Sequence, residues 1–143
     1  MIPDRALSVR APWWWAIINL DKDVENRPRA CHYRGRVWLH ASKWWSWTGV
    51  GMDWETVRAC YRAEGGQPGD TGISWRDMRD AGGAIVGSVE LCGTVTESDS
   101  PWFFGPYGIR LANPIALARP VPCTGALGLF RASAEVMEAL KNA

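Results

Sequence analysis

Apolar and polar residues alternate from Arg5 to Arg10 (RALSVR), which predicts a short strand. Leu7 and Val9 share one face and Ser8 and Arg10 the other. The period then lengthens. Pro12 suits the first position of a helix, where its missing N–H costs nothing, and Pro12 to Leu20 places Trp14, Ile17 and Ile18 on one side. Trp13 and Trp15 point elsewhere, so three consecutive tryptophans fan across most of the helix circumference. Asn19 to Lys22 reads as a helix end and turn. Val24 to Arg27 is extended, because Pro28 biases Arg27 away from the α region; Glu25 and Arg27 then share one face, Val24 and Asn26 the other. After a turn at His32 to Gly35, Arg36 to Ser42 alternates again, with Val37, Leu39 and Ala41 opposite Trp38 and His40.

The pattern is less regular further on. Residues 43–52 carry Trp and Gly without a clear period, and Asp53 is the expected N-cap of a helix over Trp54 to Glu64. Gly65 to Asp70 is a loop, followed by a short helix over Ile73 to Ala81 capped by Ser74. Ala84 to Thr96 is β-rich, with Gly87 and Gly93 marking a bulge or tight bend. Glu97 to Gly108 is a loop carrying Trp102, Phe103 and Phe104 ahead of a Gly-Pro pair. Ile109 to Ala112 predicts a strand broken by Asn113-Pro114; Ile115 to Val121 a sheet edge limited by Pro120 and Pro122; Ala126 to Phe130 a last strand. Ser133 to Lys141 is a terminal helix with Val136, Met137 and Leu140 inward. Five to seven short strands with a few helices predict an α+β domain around a small, bent or closed sheet. At 143 residues, 1–143 is expected to be a single domain.

Charge narrows the function. The net charge is only +1, so the molecule is no polycation, but residues 1–48 hold eight Lys/Arg against four Asp/Glu while residues 49–100 hold four against nine. A basic first third can hold a phosphate locally; broad non-specific nucleic-acid binding needs a larger field. The four cysteines, at 31, 60, 92 and 123, lack metal-type spacing, and no cofactor or metal is expected. No apolar run reaches a membrane span, and the start lacks the apolar core of a signal peptide, so no membrane partner and a reduced, cytoplasmic setting with free thiols are expected. Eight of the ten tryptophans fall within the first 54 residues, more aromatic surface than a small core needs.

These features meet between Asp21 and Ser42. Lys22, Glu25, Asn26 and Arg27 are expected to face a cleft, with the strand Arg36 to Ser42 behind it. Two readings fit each side chain. Arg27 suits a bidentate contact with phosphate or carboxylate, or pairs with Glu25; Asn26 meets a base edge or satisfies turn backbone. Lys22 is a phosphate or carbonyl contact, or an ion-pair partner of Glu25. Trp13 or Trp102 stacks on a base or packs in the core or a lid. Ser8 and Arg10 border the cleft if the first strand does, and His40 is either a satisfied core group or an assistant in proton transfer.

The pieces ALSVRAPWWWAI, KDVENR at 22–27, YRGRVWLHAS at 33–42, IVGSVEL at 85–91, ESDSPWFFGPYGIRLANP at 97–114 and CTGALGLF at 123–130 together resemble the activating signal cointegrator homology (ASCH) domain of the PUA-like superfamily, in its order and over nearly the whole chain. The resemblance implies a small β-barrel with flanking helices and a cleft beside the K-x-x-E-x-R segment. It also implies RNA, single-stranded nucleic acid or a modified nucleoside as ligand. Some members hydrolyse N4-acetylcytidine or cleave RNA, which would make Lys22 and Glu25 an acid–base pair. In the amidohydrolase branch, however, the segment reads K-T-x-T-x-R, and Glu25 stands where the catalytic second threonine would be.

Overall fold

A computed structural model describes residues 2–67 and 72–143. Six strands, β1 (Arg5–Val9), β2 (Val24–Arg27), β3 (Gly35–Ala41), β4 (Ala84–Val95), β5 (Tyr107–Pro122) and β6 (Leu129–Arg131), form one curled mixed sheet in the order β2-β5-β4-β3-β1-β6. Among the described residues, four helices flank this half-barrel: α1 (Trp13–Asn19), α2 (Trp47–Ala63), α3 (Trp75–Asp80) and α4 (Ala134–Lys141). The β1–β3 pair is parallel, with Ser8 opposite His40; the other pairs are antiparallel. The α+β class, the flanking helices and the strand count are as expected, and the sheet expected to be bent or closed curls into a half-barrel.

Both faces of the sheet are covered. Leu7, Val9, Val37, Leu39 and Ala41 pack with Trp14 and Ile17 of α1 and with Val50 and Met78 of α2 and α3. On the other face Trp38, Ile85 and Val121 pack against Leu140 of α4. This two-sided burial is why Trp38 and His40 are as buried as their alternating neighbours. A further cluster joins Ala16 and Leu20 to Trp54, Val57 and Trp102. The fan of three tryptophans is thereby explained. Trp14 enters the sheet core, Trp15 meets Trp54 of α2 edge-on at 5.7 Å, and Trp13 turns toward the cleft.

Bulges supply the curl. The β4–β5 register shifts beside Gly87 and near Gly93, the two glycines expected to bend that strand. A side chain at Gly87 would strike the Ile115 carbonyl.

Several boundaries differ from expectation. Helix α2 begins at Trp47 with Ser46 as its N-cap, the Ser46 hydroxyl accepting the Gly49 N–H, so Asp53 lies within the helix and caps nothing. Residues 109–121 form one strand rather than two. Asn113 takes φ 51°, a left-handed conformation asparagine tolerates, and the chain bends there without leaving the sheet. β2 pairs with β5 only over Tyr107–Arg110, so Pro114, Pro120 and Pro122 lie along an open edge, where a missing N–H is harmless. The last strand starts at Leu129, not Ala126; residues 124–127 are exposed loop. His32 to Arg34 is irregular rather than a defined turn. Ser74 caps α3 as expected, and Ser133, expected inside the terminal helix, is the N-cap of α4. The expected loop Gly65 to Asp70 lies partly outside the described residues, at 68–70.

Candidate functional site

A cavity of about 510 Å³ opens between the C-terminal end of β1, the strand β2 and the loop before β6. Ser8, Arg10, Trp13, Lys22, Glu25, Asn26 and Arg27, all expected from the sequence, line it. Phe104, Leu127 and Ser42 also line it, and none of the three was singled out beforehand as a site residue. His40 lines an adjoining cavity of about 690 Å³ that shares Ser8, Ser42, Ala126 and Leu127.

The charged group at the base of the cleft is built from the turn after α1. Asp21 takes φ 58°, which reverses the chain and returns Lys22 under the helix, where its backbone N–H donates to the Ala16 carbonyl. The Lys22 side chain is 1% exposed; its Nζ donates to the Val24 carbonyl and to Glu25 Oε1 at 2.8 Å, and lies 5.5 Å from the Trp13 ring centroid. Glu25 Oε2 takes Arg27 Nη2 at 3.1 Å, and that guanidinium also donates to the Ser8 carbonyl at 2.8 Å. Glu25 therefore bridges two cations in a half-dry setting. Lys22, Glu25 and Arg27 are held by one another as well as presented to the cavity.

Asn26 acts on the opposite side of β2. Its Nδ2 donates to the Trp102 carbonyl at 2.9 Å, and its Oδ1 accepts the N–H groups of Phe104 at 2.7 Å and Gly105 at 3.0 Å. All of these bonds go to the aromatic loop, as in the backbone-satisfying reading of this residue. Trp102 is fully buried against Val24 and Trp54, so it packs in the core and does not reach the cavity. The exposed ring at the cleft is Phe104, 58% accessible, held there by Asn26.

Arg10 and Trp13 are tied to α2. Both donate to Asp53 Oδ2 at 3.3 Å, and the Arg10 guanidinium lies 5.1 Å from the Trp44 ring centroid. Asp53 and Trp44, which hold Arg10 and Trp13 from the α2 side, were also missed by sequence reasoning. Asp53 read as a cap, and Trp44 sat in the stretch with no period.

His40 is buried beneath the second cavity, edge-on to Phe130 at 5.6 Å. Its Nε2 lies 2.8 Å from the Cys123 carbonyl, which can only accept, so Nε2 carries the proton. Nδ1, 3.0 Å from Ser8 Oγ, must then accept from the Ser8 hydroxyl. A side chain at Gly125 would overlap the imidazole, so this loop packs directly on the ring. Burial lowers the His40 pKa from its ordinary 6.5, opposed in part by the Cys123 carbonyl. The unfolded chain then binds the proton more readily than the folded one. His40 thus favours folding fully above about pH 6.5, and that contribution is lost as pH falls below it. Urea unfolding at pH 7.5 and pH 5.0 is expected to show a larger acid loss in the wild type than in His40→Gln; equal losses would contradict the assignment.

The class these features define is a curled half-barrel with a charged, aromatic-rimmed cleft at one end. No protein-family model matches the chain, and no curated protein matches it either. Among the described residues, no helix is long and apolar enough to cross a membrane.

Proposed function

We propose that the chain is an ASCH-type, PUA-like domain that holds a nucleotide of single-stranded RNA in the first cavity. The observation that carries this reading is the lining itself: among the described residues, Arg10, Lys22 and Arg27 stand against the carboxylate of Glu25, with Asp53 behind Arg10, between the rings of Trp13 and Phe104. Cations meet phosphate, and aromatic faces stack on bases of any sequence. Lys22, Glu25, Asn26 and Arg27 of the KDVENR segment, one of the pieces that carry the resemblance, line this cleft. Arg10 is the freest of the three cations, its side chain 54% exposed, so replacing it tests binding without disturbing the core. Arg10→Ala is expected to weaken binding of RNA oligomers about tenfold and to lower the salt dependence of log Kd by about one ion. Equal affinity and an unchanged salt slope would sink the proposal.

A hydrolase acting on N4-acetylcytidine-type nucleosides or on RNA phosphodiesters is the second reading, and one observation favours it. The Ser8 hydroxyl borders both cavities and donates to a buried, neutral imidazole. In acyl transfer, Ser8 Oγ would attack the acyl carbon, its proton passing to Nδ1 and then to the departing amine, and water would cleave the serine ester. Lys22 and Glu25, the acid–base pair the resemblance suggests, are instead occupied with each other. Release of acetate from N4-acetylcytidine, or cleavage of labelled RNA, that disappears in Ser8→Ala would establish turnover; none in the wild type leaves the binding module.

A further inference from the structure

The second cavity is larger than the first, and the nucleotide reading above leaves it unused. Each is of the size that accepts a small organic ligand, and they meet along Ser8, Ser42, Ala126 and Leu127. Among the described residues, no Asp or Glu lines the second cavity. Its charge comes from Lys43, an exposed side chain with no carboxylate within 4.0 Å among the described residues. Its aromatic wall is Trp44, 43% exposed, whose ring is already stacked by Arg10. Arg10 belongs to the first cavity, so a guanidinium stands between the two. Leu127, fully exposed at the tip of its loop, rises from the shared rim. An aliphatic side chain left wholly in water beside two hollows is one that a bound apolar face would cover.

Resting on the first-cavity reading, we infer that the second cavity is the site of the neighbouring nucleotide, so the ligand is a strand of at least two nucleotides and not a free nucleoside. The linking phosphodiester lies at Arg10. The second base stacks on the part of the Trp44 indole that Arg10 leaves uncovered, with Lys43 beside its phosphate and Leu127 between the two bases. Indole, guanidinium and base form one stack, which supplies affinity without selecting the second base.

Calorimetric titration of the four ribonucleoside 5′-monophosphates and the matching 5′-phosphorylated homodinucleotides tests this. The wild type is expected to bind at least one dinucleotide about tenfold or more tighter than its mononucleotide. Trp44→Ala and Lys43→Ala should each reduce that advantage, and in Lys43→Ala mononucleotide affinity should stay unchanged. Lys43 is not among the residues that line the first cavity, so its variant guards against an indirect effect through Arg10. Mononucleotides that bind as well as their dinucleotides in all four pairs overturn the inference alone, as does an advantage that survives both substitutions. Binding of neither ligand overturns the nucleotide reading of the first cavity and this extension with it.

Discussion

Glu25→Gln is expected to destabilise the protein by about 3–5 kcal/mol, the range for removing one partner of a buried ion pair. The amide keeps the size of the side chain but not its charge. Lys22, with its side chain 1% exposed, would keep an ammonium with no counter-charge, its acceptors reduced to the Val24 carbonyl and the amide oxygen, and Arg27 would lose the carboxylate that orients it. Neutralising Lys22 or letting water in are the remaining ways out, and both loosen the turn that joins α1 to β2. In a chain of this length the loss corresponds to a fall in Tm of roughly 10–20 °C. Urea unfolding of the two proteins at pH 7.5 measures it directly. A change below about 1 kcal/mol, typical of an exposed pair, would show that the trio is far better solvated than its burial implies.

Asn26→Ala carries the second large effect, and it separates folding from function. The substitution removes three hydrogen bonds that pin the aromatic loop, leaving the Phe104 and Gly105 N–H groups and the Trp102 carbonyl without their partner. Orphaned groups of this kind cost about 1–3 kcal/mol, moderated here because the Phe104 end meets solvent. Hydrogen exchange at Phe104 and Gly105 is expected to speed up by about ten- to a hundredfold. RNA affinity should fall as well, since Phe104 would no longer be held over the cleft. Asn26→Asp keeps the acceptor for both amides and loses only the donor to Trp102, so it should retain most of the loop protection. Loop exchange unchanged in Asn26→Ala would mean that the fully buried Trp102 alone anchors this segment.

Much of the cleft could be read from order and spacing. Pro28 after a short polar run places Val24–Arg27 in an extended segment, and the two-residue period puts Glu25 beside Arg27, the contact observed at 3.1 Å. Alternation in RALSVR likewise turned Ser8 and Arg10 toward the cavity. Local rules served less well where several residues of one kind compete for one place. Trp102, Phe103 and Phe104 are adjacent rings in a loop, and no period says which faces outward. The three bonds from Asn26, a residue 76 to 79 positions away, settle that choice. Asp53 followed a pattern common to caps, yet Ser46 captured the helix start and freed the carboxylate to bind Arg10 and Trp13.

The sequence by itself determined most of the elements and the alternation along β1, β2 and β3, because backbone preferences and hydrophobic periods act over a few neighbouring residues; it started α2 at Trp54 rather than Trp47 and divided β5 in two. It also placed Lys22, Glu25 and Arg27 within reach of one another, three and two positions apart along one short segment. Only the tertiary structure decided which aromatic rings are wall and which are core, that His40 meets Ser8 across two parallel strands, and that a second hollow opens beside the first. Those outcomes depend on burial and on pairing between segments far apart in the chain, and neither leaves a mark on the local pattern.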